Sequence, residues 1–319
     1  MPSLAKVRQS NSLLEKEKPG LVAIFAGATS GIGEATCKEF VQHSRSPKVY
    51  LVGRNASKGS ALVHELRTLN PEATVLFIEA DLTLLCNADR VLRLVSEKET
   101  KVNLLFLTQG FLSLRGREET IEGLDKMLSL QYFSRIRLIT KFLPLLRRAA
   151  DVELARVVSV LGAGNETQID PENLEVKHNY SLKNASGQAI TMTSLSLDQL
   201  AISNPSVSFL HVYPGVVRGT GIMQGMGRAM YYLARIAMST FARPFTVSLG
   251  ESGQRHLYAA TSKAFVPGQQ SAGDSSSFFR LAWDGEPCSP NSVLSNYKRD
   301  GVQKMIWERT KEIIRRIAD

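Results

Sequence analysis

Seven short apolar runs recur along the chain, separated by longer segments in which apolar residues return at helical spacing. The runs are Leu21–Phe25, Val49–Val52, Thr74–Ile78, Val102–Leu107, Arg156–Val160, Val207–Val212 and Phe278–Ala282. They are rich in Val, Ile, Leu and Phe and mostly lack the strict alternation of a strand with one wet face, so they predict strands buried on both sides. Strand and helix patterns in alternation predict an α/β protein: a doubly wound, seven-stranded parallel sheet with helices on both faces.

The junction after the first run carries the chemistry. Leu21-Val22-Ala23-Ile24-Phe25 leads into Ala26-Gly27-Ala28-Thr29-Ser30-Gly31-Ile32-Gly33, and the helix-like Glu34–Phe40 follows directly. Glycines at 27, 31 and 33 permit a tight turn and let a pyrophosphate approach a helix N-terminus, where unpaired N–H groups and the helix dipole favour negative charge. A strand, a glycine turn and a helix in this order predict a Rossmann-type dinucleotide site.

Gly27-x-x-x-Gly31-Ile32-Gly33, with Ala28-Thr29-Ser30 in the gap, resembles the cofactor loop of the short-chain dehydrogenase/reductase family, and the resemblance runs from about Leu21 to Gly285. It implies cofactor contacts from Gly27, Thr29, Ser30, Gly31, Ile32 and Gly33. Asp81-Leu82 is similar to the family's adenine-holding pair, although Asp81 is equally suited to cap a helix beginning near Thr83. Gly110 matches the end of the family's Asn-Asn-Ala-Gly segment, but Leu107-Thr108-Gln109 replaces the rest. Tyr213-Pro214-Gly215-Val216-Val217-Arg218-Gly219-Thr220 resembles the turn after the sixth strand, with Pro214 and Gly215 at the cofactor.

The second strand ends in Val52-Gly53-Arg54-Asn55, without the acid that would bind a ribose 2′-hydroxyl. A guanidinium there suits a 2′-phosphate, so Arg54 predicts NADP(H) as the cofactor.

In the family a tyrosine donates a proton, a lysine four residues later lowers its pKa and binds the nicotinamide ribose, a serine polarises the substrate oxygen and an asparagine holds a water. Asn179-Tyr180-Ser181-Leu182-Lys183 resembles the start of that helix and nominates Tyr180 and Lys183, with Ser159 as the serine. The spacing is three rather than four. On a helix, residues three apart lie about 60° from each other and residues four apart about 40°, on opposite sides, so the pair can share a face. Aligning Lys183 with the family lysine puts Asn179 at the tyrosine, and aligning Tyr180 puts Asn184 at the lysine; an amide replaces neither chemically. Gly162 falls at the serine position and Gln131 at the asparagine, while His178 is a second candidate proton relay.

Composition changes this picture little. The chain has 319 residues and 43% hydrophobic content, enough for one large α/β domain over residues 21–319. Residues 1–20 are polar, lack an export signal's apolar stretch and predict a loosely ordered extension. The net charge of +9 is spread along the chain rather than gathered with aromatics, so no nucleic-acid partner is expected. Cys37, Cys86 and Cys288 stand apart, which predicts a cytoplasmic, reducing location without disulfides or a metal site. No apolar stretch is long enough to span a membrane.

Residues 221–245 stand where the family keeps its substrate lid. Met223, Met226, Met230, Met238, Tyr231, Tyr232 and Leu233 there suit a bulky apolar substrate. The family's long interface helix, continued here through Thr191–Leu197, implies a homo-oligomer. The pattern resembles fungal family members of secondary metabolism, and implies an NADP(H)-dependent oxidoreductase interconverting a carbonyl and an alcohol on a hydrophobic small molecule. A non-redox isomerase or cyclase, or an inactive dinucleotide-binding regulator, stays open because the serine and the tyrosine–lysine spacing depart from the pattern.

Overall fold

The computed structural model describes residues 2–151, 153–221, 246–268 and 275–318. Seven strands, β1 (Val22–Ala26), β2 (Lys48–Gly53), β3 (Thr74–Glu79), β4 (Leu104–Leu107), β5 (Arg156–Val160), β6 (Ser208–Val212) and β7 (Phe278–Leu281), form one sheet in the order β3-β2-β1-β4-β5-β6-β7. Every neighbouring pair is parallel. All seven expected strands are present, with their ends displaced by at most two residues.

The uninterrupted apolar runs reflect burial on both faces. Along β1, Val22, Ile24 and Ala26 point into one core layer while Ala23 and Phe25 point into the other. β4 repeats this with Leu105 and Leu107 against Leu104 and Phe106. Fully burying such a side chain contributes about 1.5–3 kcal/mol, so two filled layers account for the fold's preference for this register. Helices α1 (Leu4–Ser12), α2 (Gly31–His43), α3 (Ala56–Leu69) and α8 (Leu249–Thr261) cover one face. Helices α4 (Cys86–Ser96), α6 (Ser134–Ala150), α7 (Leu182–Ser203), α9 (Ser292–Arg299) and α10 (Val302–Ala318) cover the other, while the short α5 (Lys126–Leu128) leads through a π-helical turn, Ser129–Phe133, into α6.

The N-terminal segment departs from expectation. Residues 4–12 are helical, with Ser3 accepting a hydrogen bond from the Lys6 amide, rather than a loose extension. Leu4, Val7, Asn11 and Leu14 recur at helical spacing, and Val7, Asn11 and Leu14 are buried. Asn11 donates to the Gln254 carbonyl at 2.9 Å, tying α1 to α8.

α10 covers part of α7, the helix expected to serve a homo-oligomer. It packs on α7 and reaches α6: Gln303 donates to Asp198 at 2.8 Å, Thr310 bonds Tyr132, and Arg137 donates to the Ala318 carbonyl.

Two histidines lie wholly inside. Burial, aided by the Arg135 and Arg280 charges, pulls His211 down to about 3, and burial pulls His256 down to about 4. Both stay neutral in the fold, whereas an unfolded chain protonates them near pH 6.5. Their contribution is therefore intact above about 6.5 and is lost as pH falls toward 4 and below, by up to about 1.4 kcal/mol per unit for each. Urea unfolding at about pH 7.5, 6 and 5 should show a falling midpoint, and His256→Gln should flatten part of that slope.

Candidate active site

The chain reverses direction across the sheet between β1 and β4, which opens a crevice at the strands' C-terminal ends. A cleft of about 950 Å3 lies there. It is lined by the loops after β1 (Gly27, Thr29–Gly33), β2 (Gly53, Arg54), β3 (Ala80, Leu82), β4 (Thr108–Leu112), β5 (Val160, Leu161) and β6 (Pro214–Gly221).

The three glycines have different duties. Gly27 has φ of 82°, and a side chain there would bring Cβ to 2.5 Å from the Gln109 amide nitrogen. At Gly33 a Cβ would lie 2.5 Å from Thr108 Oγ1 and 2.8 Å from the Gly27 carbonyl. Gly31 has φ of 67°, but its Cβ would meet nothing nearer than Thr220 Cγ2 at 3.8 Å. Two glycines therefore allow close packing, while Gly31 keeps space open at the N-terminus of α2. Thr108, at a position where the family carries asparagine, donates its hydroxyl to the Ala26 carbonyl at 3.0 Å and so ties the end of β4 to β1.

Arg54 is exposed at the end of β2, makes no hydrogen bond or ion pair among the described residues, and lines both the cleft and an adjoining depression with Glu79, Asp81 and Arg90. No signal in the sequence points to Arg90. It reaches this place from α4 by donating to the Glu79 carbonyl at 2.8 Å. Asp81 accepts from the Thr83 amide and hydroxyl at 3.0 and 2.9 Å, so its carboxylate braces a turn. The helix begins at Cys86 rather than near Thr83, and Glu122 accepts from the Leu85 and Cys86 amides at its start. Leu82, Gly110, Pro214 and Gly215 all reach the cleft.

The three catalytic candidates are not brought together. Ser159 is wholly buried within β5, where it accepts from Arg135 Nη1 at 2.8 Å. Lys183 is exposed in the first turn of α7. Tyr180 does not line the cleft: its hydroxyl is buried beside the Asp125 carboxylate. Burial and then Asp125 push this phenol up to about 12, opposite to the direction an activating lysine would produce.

The reason lies in tertiary contacts. Tyr297 binds both backbone polar groups of Ile169, at 3.0 and 3.1 Å, Arg309 donates to the Pro171 carbonyl at 2.8 Å, and Arg316 pairs with Glu175 at 2.6 Å. The loop before Tyr180 is thereby held against α9 and α10. At Gly162 a Cβ would lie 2.6 Å from Ile190 Cδ1, so a serine there would require the Ile190 side chain to move.

Gln131 occupies the π-helical turn and donates to the Phe111 carbonyl at 2.9 Å. One helical turn later Arg135, 2% exposed, reaches the inner wall of the cleft. Its sequence signal was weak, since with Arg137 it is one of two charges in the mixed Leu128–Ile139 stretch. Residues 222–245, including Met223, Met226, Met230, Met238, Tyr231, Tyr232 and Leu233 of the expected lid, lie outside the described residues, as do residues 269–274. Among the described residues no group of side chains has metal-binding geometry, the cysteines are free, and no helix is long and apolar enough to cross a membrane.

A parallel sheet with this strand order and a glycine turn at its switch point defines a Rossmann-type dinucleotide-binding protein. The model of the short chain dehydrogenase family matches residues 21–231, and the chain belongs to that family. It is 38% identical over 333 residues to Oxidoreductase AN1596 of Emericella nidulans, covering 98% of both chains. It is 40% identical over 315 residues to Oxidoreductase andH of Emericella variicolor, covering 95% of this chain and 89% of that one. Among solved structures, L-sorbose reductase from Gluconobacter frateurii, complexed with NADPH and L-sorbose, superposes with a TM-score of 0.58 at 18% identity, over 86% of this chain and 98% of that one. The chain is an oxidoreductase of the short-chain dehydrogenase/reductase type.

Proposed function

We propose that the protein is an NADP(H)-dependent oxidoreductase that interconverts a carbonyl and an alcohol on a hydrophobic small molecule in fungal secondary metabolism. The observation that carries the cofactor reading is the open space over Gly31, at the head of α2, with the unpaired Arg54 on the same cleft. Bound there, the nicotinamide would supply or accept the hydride. Gly27, Thr29–Gly33, Leu82, Gly110, Pro214 and Gly215 would hold the dinucleotide, Arg54 its 2′-phosphate, and Asp81 the turn beside the adenine. Phe111, Leu112, Leu130, Leu161 and Val216 give the rest of the cleft an apolar wall suited to a hydrophobic substrate. The Emericella relatives named oxidoreductases support the same class of reaction.

Tyr180 remains the proposed proton donor on the family resemblance of Asn179–Lys183, and would have to reach the cleft from its place beside Asp125. Lys183 and Ser159 are its proposed helpers. The expected result is NADPH oxidation by hydrophobic ketones, followed as absorbance loss, that falls by about 100-fold in Tyr180→Phe with NADPH affinity kept. Turnover that survives this change would make Tyr180 a packing residue.

The separation of Tyr180, Lys183 and Ser159 favours a second reading, a non-redox isomerase or cyclase or a cofactor-binding regulator. Saturable NADPH binding without oxidation by any ketone tried would select it.

A further inference from the structure

An arginine buried at the inner end of a substrate cleft needs its charge answered. Arg135 Nη1 donates to Ser159 Oγ and to the Val160 carbonyl, both at 2.8 Å, and Nη2 donates to the Gln109 carbonyl. These are neutral acceptors, and Nε is buried with no partner. Among the described residues no carboxylate bonds the guanidinium. Glu118, the acid on the cleft wall, sits 4.0 Å from Lys126, and the buried Glu166 is engaged by Ser194 at 2.6 Å and Arg280 at 3.5 Å.

Arg156 is a useful contrast. It is as deeply buried and also lacks an acid, but its three bonds go to the Ala259, Ser262 and Phe265 carbonyls around the C-terminal end of α8, where the helix dipole supplies negative potential. Arg135 instead meets the ends of β4 and β5 and has no helix terminus to compensate it. Burial pulls its guanidinium down to about 9, yet it stays charged at neutral pH.

Two neighbours complete the arrangement. Gln109 is 6% exposed and lines the cleft, and neither polar atom of its side-chain amide has a partner. A Cβ on Gly110 would come no nearer than 3.7 Å to Gln131 and 3.8 Å to Arg135 Nη2, so the guanidinium is open to the cleft beside the place proposed for the dinucleotide. A buried cation without a counter-charge and a buried amide without partners both destabilise the unliganded fold. One ligand group relieves both.

We propose that Arg135, with Gln109, seats a carboxylate of the substrate, so that the hydrophobic substrate is an organic acid anchored at the inner end of the cleft. This rests on the oxidoreductase reading above and narrows its substrate class. The carboxylate would accept from the guanidinium and from the Gln109 amide, leaving the apolar part against Phe111, Leu130 and Leu161.

The test is calorimetric titration of the NADPH-loaded protein with decanoate and with decanamide, which share a chain and differ in charge. Decanoate is expected to bind about tenfold or more tightly than decanamide, Arg135→Met to abolish that preference, and Arg135→Lys to keep part of it. Gln109→Leu is expected to raise the melting temperature of the unliganded protein while weakening decanoate, a pair of changes that a merely structural glutamine would not produce. Equal binding of the two probes to the wild type, or a preference untouched by Arg135→Met, overturns the proposal. If Arg135→Met does not fold, the wild-type comparison and Gln109→Leu decide. Failure to bind NADPH in the same titration overturns the cofactor reading instead, and this inference with it.

Discussion

Gly31→Val is expected to fold and to bind NADPH about a hundredfold or more weakly than the wild type. The added isopropyl group would project into the open space at the head of α2, where only Thr220 lies within 4 Å, and would exclude a pyrophosphate from the amides it needs. A hundredfold loss corresponds to about 2.7 kcal/mol, less than two charge-assisted hydrogen bonds contribute at most. Valine at φ of 67° is also strained, by about 1–2 kcal/mol, so thermal unfolding should accompany the fluorescence titration. Gly27→Val and Gly33→Val give a different expectation: their side chains would collide with the backbone at Gln109 and at Gly27, and the protein should fail to fold. A folded Gly31→Val protein with wild-type affinity would show that the turn does not hold the cofactor.

Arg54→Ala should weaken NADPH by about 10- to 100-fold and leave NADH nearly unchanged, because losing one charge-assisted phosphate contact costs about 1.5–3 kcal/mol. Arg54 is the better candidate than Arg90, whose guanidinium already donates to the Glu79 carbonyl. Glu79 and Asp81 on the same depression oppose an anion, so the discrimination should be modest and should shrink as salt is raised. Equal affinities for the two cofactors, before and after the change, would remove Arg54 from the site.

The sheet was legible in the residue order because a strand buried on both faces has to be apolar at nearly every position, and seven such runs stand out against helical spacing. The turn at Gly27–Gly33 was legible for a related reason, since its backbone conformations and close approaches admit glycine and little else. Arg54 could be read because it follows a strand end directly. Each of these signals is local: it depends on a residue, its neighbours and the element they form.

Tertiary structure decided the rest, through pairs distant in the chain. Whether residues 4–12 form a helix depended on α8, some 240 residues later, offering a surface for Val7 and Asn11. Tyr180 and Lys183 resembled a catalytic pair in sequence, but Tyr297, Arg309 and Arg316 hold the preceding loop, and the phenol sits beside Asp125 without lining the cleft. Arg135 looked like one of many basic residues and became a buried charge only when α6 packed across β4 and β5. Burial and electrostatic compensation are sums over neighbours from every element, and that is why the sequence determined the sheet and the cofactor turn while the inner end of the cleft was settled by packing.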